Sequence, residues 1–212
     1  MHSRCSGAKQ EAALRAVLLK LGIQNEALTG SSCRWPGVEC RFRFCDVEVL
    51  RMSGIIQGTG SIPEELGQLP YLCRLDLRGF QVQGNLAALA RCKRLVELRL
   101  DGGTFEKAPV GRLQTIVLSG TGLDLAELRV ARQLRDLTVY QAGTVRGNIS
   151  DLKRSTRLLF LSLPGAHQVK GDLGDFQGMP RLRKLCLQRA QARHTYLGGS
   201  SGCSQHMLSE AC

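Results

Sequence analysis

The sequence has no long hydrophobic run. None of its 212 residues lies in a stretch that reaches the roughly 18 consecutive apolar residues needed by a membrane-spanning helix. Residues 1–10 are polar, and Arg15 interrupts the apolar segment that follows, which makes this a poor secretory signal. We therefore expect no membrane span in this chain, and either a signal missing from this sequence or an intracellular protein.

Motifs for catalysis, cofactors and metals are also missing. None of the four histidines is arranged with a nucleophile and a carboxylate. Residues 54–60 lack the lysine of a phosphate-binding loop, and no Gly-x-Gly-x-x-Gly opens a helix. The sequence has no Cys-x-x-Cys, and Cys203, His206 and Cys212 match no structural zinc spacing. We expect a protein with no catalytic residues, no cofactor and no metal.

Acidic residues are in deficit. There are 18 Asp and Glu against 29 Lys and Arg, which gives a net charge of +11. A charge of this sign favours encounters with acidic partners, although solubility is an equally good reason for it. The charge carries no information about the fold.

One repeated pattern dominates the sequence. In residues 72–79, leucines at relative positions 1, 4 and 6 precede a glycine at position 8, which describes a short strand and a tight turn. Successive copies begin 25, 23, 18, 21, 24 and 24 residues apart, at Val47, Leu72, Leu95, Leu113, Leu134, Leu158 and Leu182. This period predicts an α/β repeat fold, a leucine-rich repeat solenoid in the form of a curved right-handed horseshoe with a parallel sheet on its concave face. Positions 1, 4 and 6 are then its core.

Position 8 is glycine in five of the seven repeats, namely Gly54, Gly79, Gly102, Gly120 and Gly165. We expect positive φ or a close backbone approach there. Gln141 and Arg189 interrupt the pattern, which predicts looser turns in those two repeats. The last repeat stops after its strand, and no capping pattern follows it.

The amino-terminal region predicts a cap. Residues 11–21 place Leu14, Val17, Leu18 and Leu21 on one helical face, and a helix of this kind would cover the hydrophobic end of the first repeat. The segment 33–40, Cys-Arg-Trp-Pro-Gly-Val-Glu-Cys, follows. We divide the chain into a cap at 1–46, seven repeats at 47–190 and a flexible polar tail at 191–212.

These features resemble the plant-type, receptor-like leucine-rich repeat family with its amino-terminal cap. The second half of several repeats carries the family pattern Gly-x-Ile-Pro, seen as Gly60-Ser61-Ile62-Pro63 and, in part, at 84–86, 147–149 and 171–173. The resemblance implies a binding module without catalytic residues, with an extracellular or cell-surface location. It also implies a Cys33–Cys40 disulfide, with Trp35 packed over the end of the first strand.

Other cysteine arrangements stay open. Nine cysteines leave at least one free thiol or one intermolecular bond in an oxidising compartment. Cys33 and Cys40 could instead be buried thiols of a reduced protein. Cys45 could compete as a partner, or could pair with Cys73 in the neighbouring repeat.

The concave face is the expected binding surface, because strand side chains at positions 3, 5 and 7 point away from the core. Its first half alternates in charge, and its members Arg74, Asp76, Glu97 and Arg99 could largely pair with one another. Its second half exposes Tyr140 and Phe160, and aromatic residues in a polar surround are favoured interface anchors. We predict partner binding at Tyr140 and Phe160, flanked by Arg99 and Asp136, against the alternative of an idle polar sheet.

The residue before position 1 predicts a basic rim, formed by Arg94, Arg112, Arg157 and Arg181. Further basic residues lie close by, at Arg91, Lys93, Arg132, Lys153 and Arg154. The rim could attract acidic protein surfaces or phosphates, or it could simply be a solvated edge. Nucleic acid is disfavoured, because the rim has no aromatic residues on which bases could stack.

The sequence thus predicts a non-catalytic module that binds a protein or peptide on its concave face. The alternative is an intracellular scaffold that docks acidic partners through the arginine rim. Asn148-Ile149-Ser150 also matches the acceptor for N-glycosylation, which matters only in a secreted chain and is as readily a chance occurrence.

Overall fold

The structure is a computed structural model that describes residues 8–41, 46–106, 108–176, 179–187 and 191–193. It divides into two compact units, Met1–Pro109 and Val110–Cys212. Each unit repeats the same path, in which a short strand leads into a turn and then into a returning segment that contains a 3-10 helix.

The first unit begins with helix α1 (Ala8–Lys20) and contains the 3-10 helices Asn25–Ala27, Ser32–Arg34, Glu64–Gln68 and Ala87–Arg91. Its strands are β1 (Val38–Cys40), β2 (Val47–Arg51), β3 (Gly58–Gly60), β4 (Arg74–Asn85) and β5 (Glu97–Thr104). β2, β4 and β5 form a parallel sheet, with β1 antiparallel on the outer side of β2. β3 pairs with the second half of β4.

The second unit contains the strands β6 (Thr115–Ser119), β7 (Asp136–Tyr140), β8 (Arg146–Asn148), β9 (Phe160–Ser162), β10 (Gln168–Asp172), β11 (Lys184–Cys186) and β12 (Gln191–Arg193). Its 3-10 helices are Val110–Arg112, Leu125–Val130, Ala142–Thr144, Ile149–Leu152 and Leu173–Phe176. β6, β7, β9 and β11 form a parallel main sheet, and β8, β10 and β12 form a second parallel sheet from the returning segments.

The core is the stack of side chains at positions 1, 4 and 6 of each repeat. In the first six repeats every member is at most 1% exposed. Leucines from the 3-10 helices, such as Leu66, Leu89 and Leu128, close the other side of the core and are fully buried. Burial of each such side chain contributes roughly 1.5–3 kcal/mol, so the repeats are held together mainly by this apolar stack.

Helix α1 packs onto the first repeat as the cap helix predicted from the sequence. Leu14, Val17 and Leu18 are fully buried. At the carboxyl end of α1, Lys20 forms an ion pair of 2.5 Å with Glu65 in the 3-10 helix Glu64–Gln68. The hydrogen bond from Lys20 lowers the pKa of the Glu65 carboxyl.

Gly37 brings the cap into direct contact with the sheet. The backbone N–H of Arg51 donates to the Gly37 carbonyl at 2.7 Å. A Cβ at Gly37 would overlap the Arg51 carbonyl oxygen, and the φ of +70° is itself unfavourable for other residues. Glycine is therefore required here by both space and backbone conformation.

The turns at position 8 are left-handed, as the glycines predicted. The five glycines have φ between +60° and +95°. Gln141 occupies the same position with φ +54° and ψ +49°, so it shares the left-handed φ of the five glycines. The backbone of the repeat thus takes the left-handed conformation even at a residue that disfavours it, and the looser turn at Gln141 stays a prediction. Arg189 lies outside the described residues.

The last repeat does not stop after its strand. Gln191–Arg193 form β12, which pairs in parallel with β10, with Lys170 opposite Gln191. The boundary predicted at residue 191 between the repeats and the polar tail is therefore too early by these three residues. The rest of that tail lies outside the described residues.

Candidate functional site

The side chains at positions 3, 5 and 7 lie on the face of each main sheet that points away from the core. We call this surface the open strand face, and it corresponds to the predicted concave face. In the first unit, Val49, Arg74 and Glu97 lie side by side on neighbouring strands, followed along the strands by Arg51, Asp76 and Arg99. In the second unit the row at position 3 is Thr115, Asp136, Phe160 and Lys184.

Ion pairs occupy the open strand face of the first unit. Glu97 accepts from Arg99 at 2.6 Å and lies 3.7 Å from Arg74. The carboxylate of Asp76 accepts hydrogen bonds from Nε and Nη2 of Arg78 at 2.9 and 2.6 Å, and Asp76 is a buried residue. The expectation that Arg74, Glu97 and Arg99 pair with one another is confirmed, whereas Asp76 pairs with Arg78 of its own strand. A partner that binds them must first compete with the existing contacts.

The neighbouring charges are engaged as well. Arg51 pairs with Glu39 of β1 at 2.9 Å. The carboxylate of Asp101 accepts the backbone N–H of Gly79 at 2.8 Å and so holds the left-handed residue within β4. The charged side chains of this face therefore have structural contacts of their own.

The open strand face of the second unit carries two exposed aromatic side chains. Tyr140 at the end of β7 is 53% exposed, and Phe160 at the start of β9 is 39% exposed. Asp136 lies directly opposite Phe160 in the register, so Tyr140 is four residues further along the adjacent strand. With about 3.3 Å per residue and about 4.8 Å between strands, the two positions are roughly 14 Å apart. They form two separate anchor points.

The surface between the two aromatic residues is polar. Thr138 and Ser162 are paired across the strands and are half-buried. The Thr138 hydroxyl donates to the Asp136 carboxylate at 3.1 Å. Arg99, which the sequence placed beside this cluster, belongs to the first unit and donates to Glu97.

All four arginines of the predicted rim are exposed. In the first unit, the guanidinium of Arg94 stacks over the Tyr71 ring, with 4.6 Å from Cζ to the ring centroid. In the second unit, Arg157 donates to the side-chain carbonyl of Gln133 at 2.6 Å. Tyr71 and Gln133 occupy the rim position of their own repeats. The expectation of a rim without aromatic residues is therefore wrong in the first unit, where the residue before Leu72 is an aromatic.

The Cys33–Cys40 disulfide is present, with 5.5 Å between the two Cα atoms. Trp35 between them is buried. Cys73 is a free thiol that lies 3.4 Å from the Glu48 carbonyl, so the alternative of a Cys45–Cys73 bond is wrong. Cys186 on the last strand of the main sheet is disulfide-bonded, which the sequence did not predict.

Asn148 ends β8 and caps the 3-10 helix Ile149–Leu152. Its side-chain oxygen accepts the backbone N–H of Ser150 at 2.9 Å. The residue is exposed, so it stays a predicted glycan acceptor.

Within the described ranges, no three or more His, Cys, Asp or Glu side chains are grouped so that they could hold a metal ion. Among the described helices, none has the length and apolar character to cross a membrane.

The comparisons with known proteins agree on the architecture. No protein-family model matches the chain. The brassinosteroid LRR receptor kinase BRL3 of Oryza sativa subsp. japonica is 33% identical over 117 residues, which are 48% of this chain and 9% of the receptor kinase. The chain therefore spans less than a tenth of the length of this relative.

Two solved structures show the fold. The LRR ectodomain of the receptor kinase HAESA from Arabidopsis, solved with an IDA peptide hormone, is 20% identical with a TM-score of 0.65, covering 87% of this chain and 33% of the ectodomain. The LRR ectodomain of SOBIR1 from Arabidopsis thaliana is 19% identical with a TM-score of 0.54, covering 87% of this chain and 94% of the ectodomain. The chain has the leucine-rich repeat fold. Within that class it resembles the plant receptor-like type with its disulfide-closed amino-terminal cap.

Proposed function

We propose that this chain is a non-catalytic recognition module that binds a protein or peptide on the open strand face of its second unit. The observation that carries the proposal is the pair of exposed aromatic side chains, Tyr140 and Phe160, on neighbouring strands. Exposed aromatic residues supply a large apolar contact area at low entropic cost, and a polar surround excludes water from the contact. The peptide-bound structure of HAESA is consistent with this use of the fold.

The spacing of the two anchors defines the ligand more closely. An extended peptide rises about 3.4 Å per residue, so the roughly 14 Å between the anchors corresponds to four residues. Residues i and i+4 of an extended chain point to the same side. The ligand is therefore an extended segment with bulky apolar side chains at i and i+4. Polar residues between them would face Thr138 and Ser162.

The first unit contributes less to this function. Its open strand face is already occupied by ion pairs around Glu97 and Asp76. Breaking such pairs without replacing every contact leaves a desolvated charge, which is costly. We therefore assign Arg74, Asp76, Glu97 and Arg99 to holding the strands in place, and place the ligand on the second unit.

The test is selection of ligands from a random peptide library displayed on phage, with the full chain as the target. Selected peptides are then titrated against the wild type and the Tyr140→Ala/Phe160→Ala variant by fluorescence polarisation. Loss of one hot-spot side chain costs at least about 2 kcal/mol, so the double variant should bind at least about 30-fold more weakly. The peptides should carry apolar residues four apart.

A matched control removes exposed apolar groups elsewhere. Ile55 and Val130 are 44% and 61% exposed and lie away from the open strand face, in a turn and in a 3-10 helix. The Ile55→Ala/Val130→Ala variant should bind the peptides as the wild type does. Equal affinity of the wild type and the Tyr140→Ala/Phe160→Ala variant would show that the proposal is wrong.

A further inference from the structure

A second surface of the second unit carries a high density of positively charged side chains. It lies at the end of the main sheet where the strands begin, in the residues that precede β7, β9 and β11. Seven exposed basic residues, which we call the basic edge, form it: Arg132, Arg135, Lys153, Arg154, Arg157, Arg181 and Arg183. Two of them, Arg157 and Arg181, belong to the predicted rim, and Arg135 and Arg183 add a second row. The other three are among the basic residues predicted to lie close to the rim.

Backbone hydrogen bonds fix the spacing of the second row. The N–H of Arg135 donates to Gln114 at 2.8 Å, and the N–H of Leu159 donates to Arg135 at 2.7 Å. The N–H of Arg183 then donates to Leu159 at 2.8 Å. Parallel strands lie about 4.8 Å apart, so Arg135 and Arg183 are held roughly 10 Å from each other.

The first row follows the same ladder two residues earlier. Arg157 and Arg181 precede neighbouring strands and are therefore about 5 Å apart at the backbone. The three strands β7, β9 and β11 span roughly 10 Å in this direction. The basic edge therefore consists of two short rows of basic side chains whose backbone spacing is fixed by the sheet.

Five of the six described carboxylates of the same unit lie elsewhere, and Asp136 directly follows Arg135 at the start of β7. Five of the acidic residues are in or beside the 3-10 helices and the second sheet: Asp124, Glu127, Asp151, Asp172 and Asp175. There, Arg129 pairs with Asp151 at 2.8 Å and Arg146 with Asp124 at 3.2 Å. The sixth, Asp136, accepts from Thr138 on the open strand face. Among the described residues of this unit, none of the carboxylates belongs to the basic edge.

We propose that the basic edge binds an acidic run of a polypeptide partner, about three consecutive Asp or Glu residues in extended conformation, whose length of about 3.4 Å per residue matches the three strands. The planar fork of arginine pairs with a carboxylate through two parallel hydrogen bonds, which favours arginine over lysine at such a site. A nucleic acid fits less well, because no aromatic residue of the described edge is available for base stacking. This surface is distinct from the open strand face, so the inference goes beyond the proposed function.

The probe is a fluorescein-labelled peptide of six glutamates flanked by glycines, titrated with the full chain by fluorescence anisotropy. The test variant is Arg157→Gln/Arg181→Gln/Arg183→Gln. The matched control, Arg129→Gln/Arg146→Gln/Lys170→Gln, removes the same number of positive charges from the returning segments of the unit. The test variant should bind about tenfold more weakly or worse, and the control should stay within about twofold of the wild type.

Two further arms complete the test. The variant Arg157→Lys/Arg181→Lys/Arg183→Lys keeps the charge and removes the fork, so its affinity should fall by about threefold. Oligothymidylate of matched charge should bind more weakly than the glutamate peptide. Thermal melts verify that each variant is folded. If the glutamine variant of the basic edge does not fold, the lysine variant serves as the test variant.

Specific outcomes overturn the proposal. Equal losses in the two glutamine variants would mean that only net charge matters. Tighter binding of oligothymidylate would indicate a phosphate polyanion in place of an acidic polypeptide. The Tyr140→Ala/Phe160→Ala variant should bind the glutamate peptide normally, which separates this result from the fate of the proposed function.

Discussion

The guanidinium of Arg15 stacks on the indole of Trp35, with 4.8 Å between Cζ and the ring centroid. The same guanidinium donates to the side-chain oxygen of Asn25 and to the carbonyl of Leu28, both at 2.7 Å. The indole N–H in turn donates to the Thr29 carbonyl at 3.2 Å. One side chain of α1 therefore holds the whole segment that leads into the disulfide loop.

Replacing Arg15 with alanine should destabilise the protein. The substitution removes two charge-assisted hydrogen bonds and a cation–π contact, which together contribute about 2 kcal/mol. The free energy of unfolding in urea, followed by circular dichroism, measures the loss. Lys9→Ala on the exposed surface of the same helix is the control and should change stability by less than about 0.5 kcal/mol. Equal midpoints for the two variants would contradict the role assigned to Arg15.

The Cys33–Cys40 disulfide should stabilise the cap. It closes a loop with a sequence separation of 7, and a loop of that length restricts the unfolded chain by about 2.5 kcal/mol. The Cys33→Ser/Cys40→Ser variant should therefore unfold at lower urea concentration. Variants are preferable to a reducing agent because Cys186 is also disulfide-bonded. Cys73→Ser, at a free thiol, should leave the midpoint nearly unchanged, and a wild-type midpoint for the double variant would disprove the prediction.

Substitutions at Gln141 and Gly165 should change the stability of the protein in opposite directions. Both have positive φ at position 8 of a repeat. At Gly165 there is open space for an added Cβ, so a substitution there changes only the backbone conformational energy. Gln141→Gly relieves a left-handed conformation that costs about 1–2 kcal/mol, part of which is offset by the greater freedom of glycine when unfolded. We expect a gain of up to about 1 kcal/mol for Gln141→Gly and a loss of about 1 kcal/mol for Gly165→Ala. Thermal melts that moved in the same direction would refute this.

The thiol of Cys92 should be chemically inert in the folded protein. Burial raises its pKa to about 11. Alkylation requires the thiolate, so iodoacetamide at pH 8 should modify folded Cys92 at least about 100-fold more slowly than the urea-unfolded protein. Desolvation and the nearby Glu48 also raise the pKa of Cys73, but its side chain is partly exposed and should react first. Mass spectrometry of peptides over time gives both rates, and similar rates for folded and unfolded Cys92 would contradict the assignment.

The parts of the structure that were predictable from sequence depend on local spacing. Leucines at 72, 75 and 77 fix one strand and its buried side, and repetition of that spacing fixes the parallel sheet. The same alternation placed Tyr140 and Phe160 on the open strand face. Helix α1 was predictable because Leu14, Val17 and Leu18 share one face.

The rest depends on contacts between distant residues. Arg15 reads as an interruption of an apolar run, and its role appears only when Trp35 lies beneath it. The strand Gln191–Arg193 has no β signal of its own and forms because β10 offers a parallel edge. Gln141 adopts an unfavourable backbone conformation because its neighbours in the stack dictate the turn.

The two units differ in how freely the side chains of their open strand faces can be changed, because the charged side chains of the first unit hold structural contacts of their own. Side chains such as Thr138 and Ser162 in the second unit stand on strands whose positions are set by the leucine core behind them and by the backbone ladder beside them. They can be exchanged for other side chains without repacking any buried group. The open strand face of the second unit is therefore the part of the chain in which new binding specificities can be engineered, while the first unit is left unchanged.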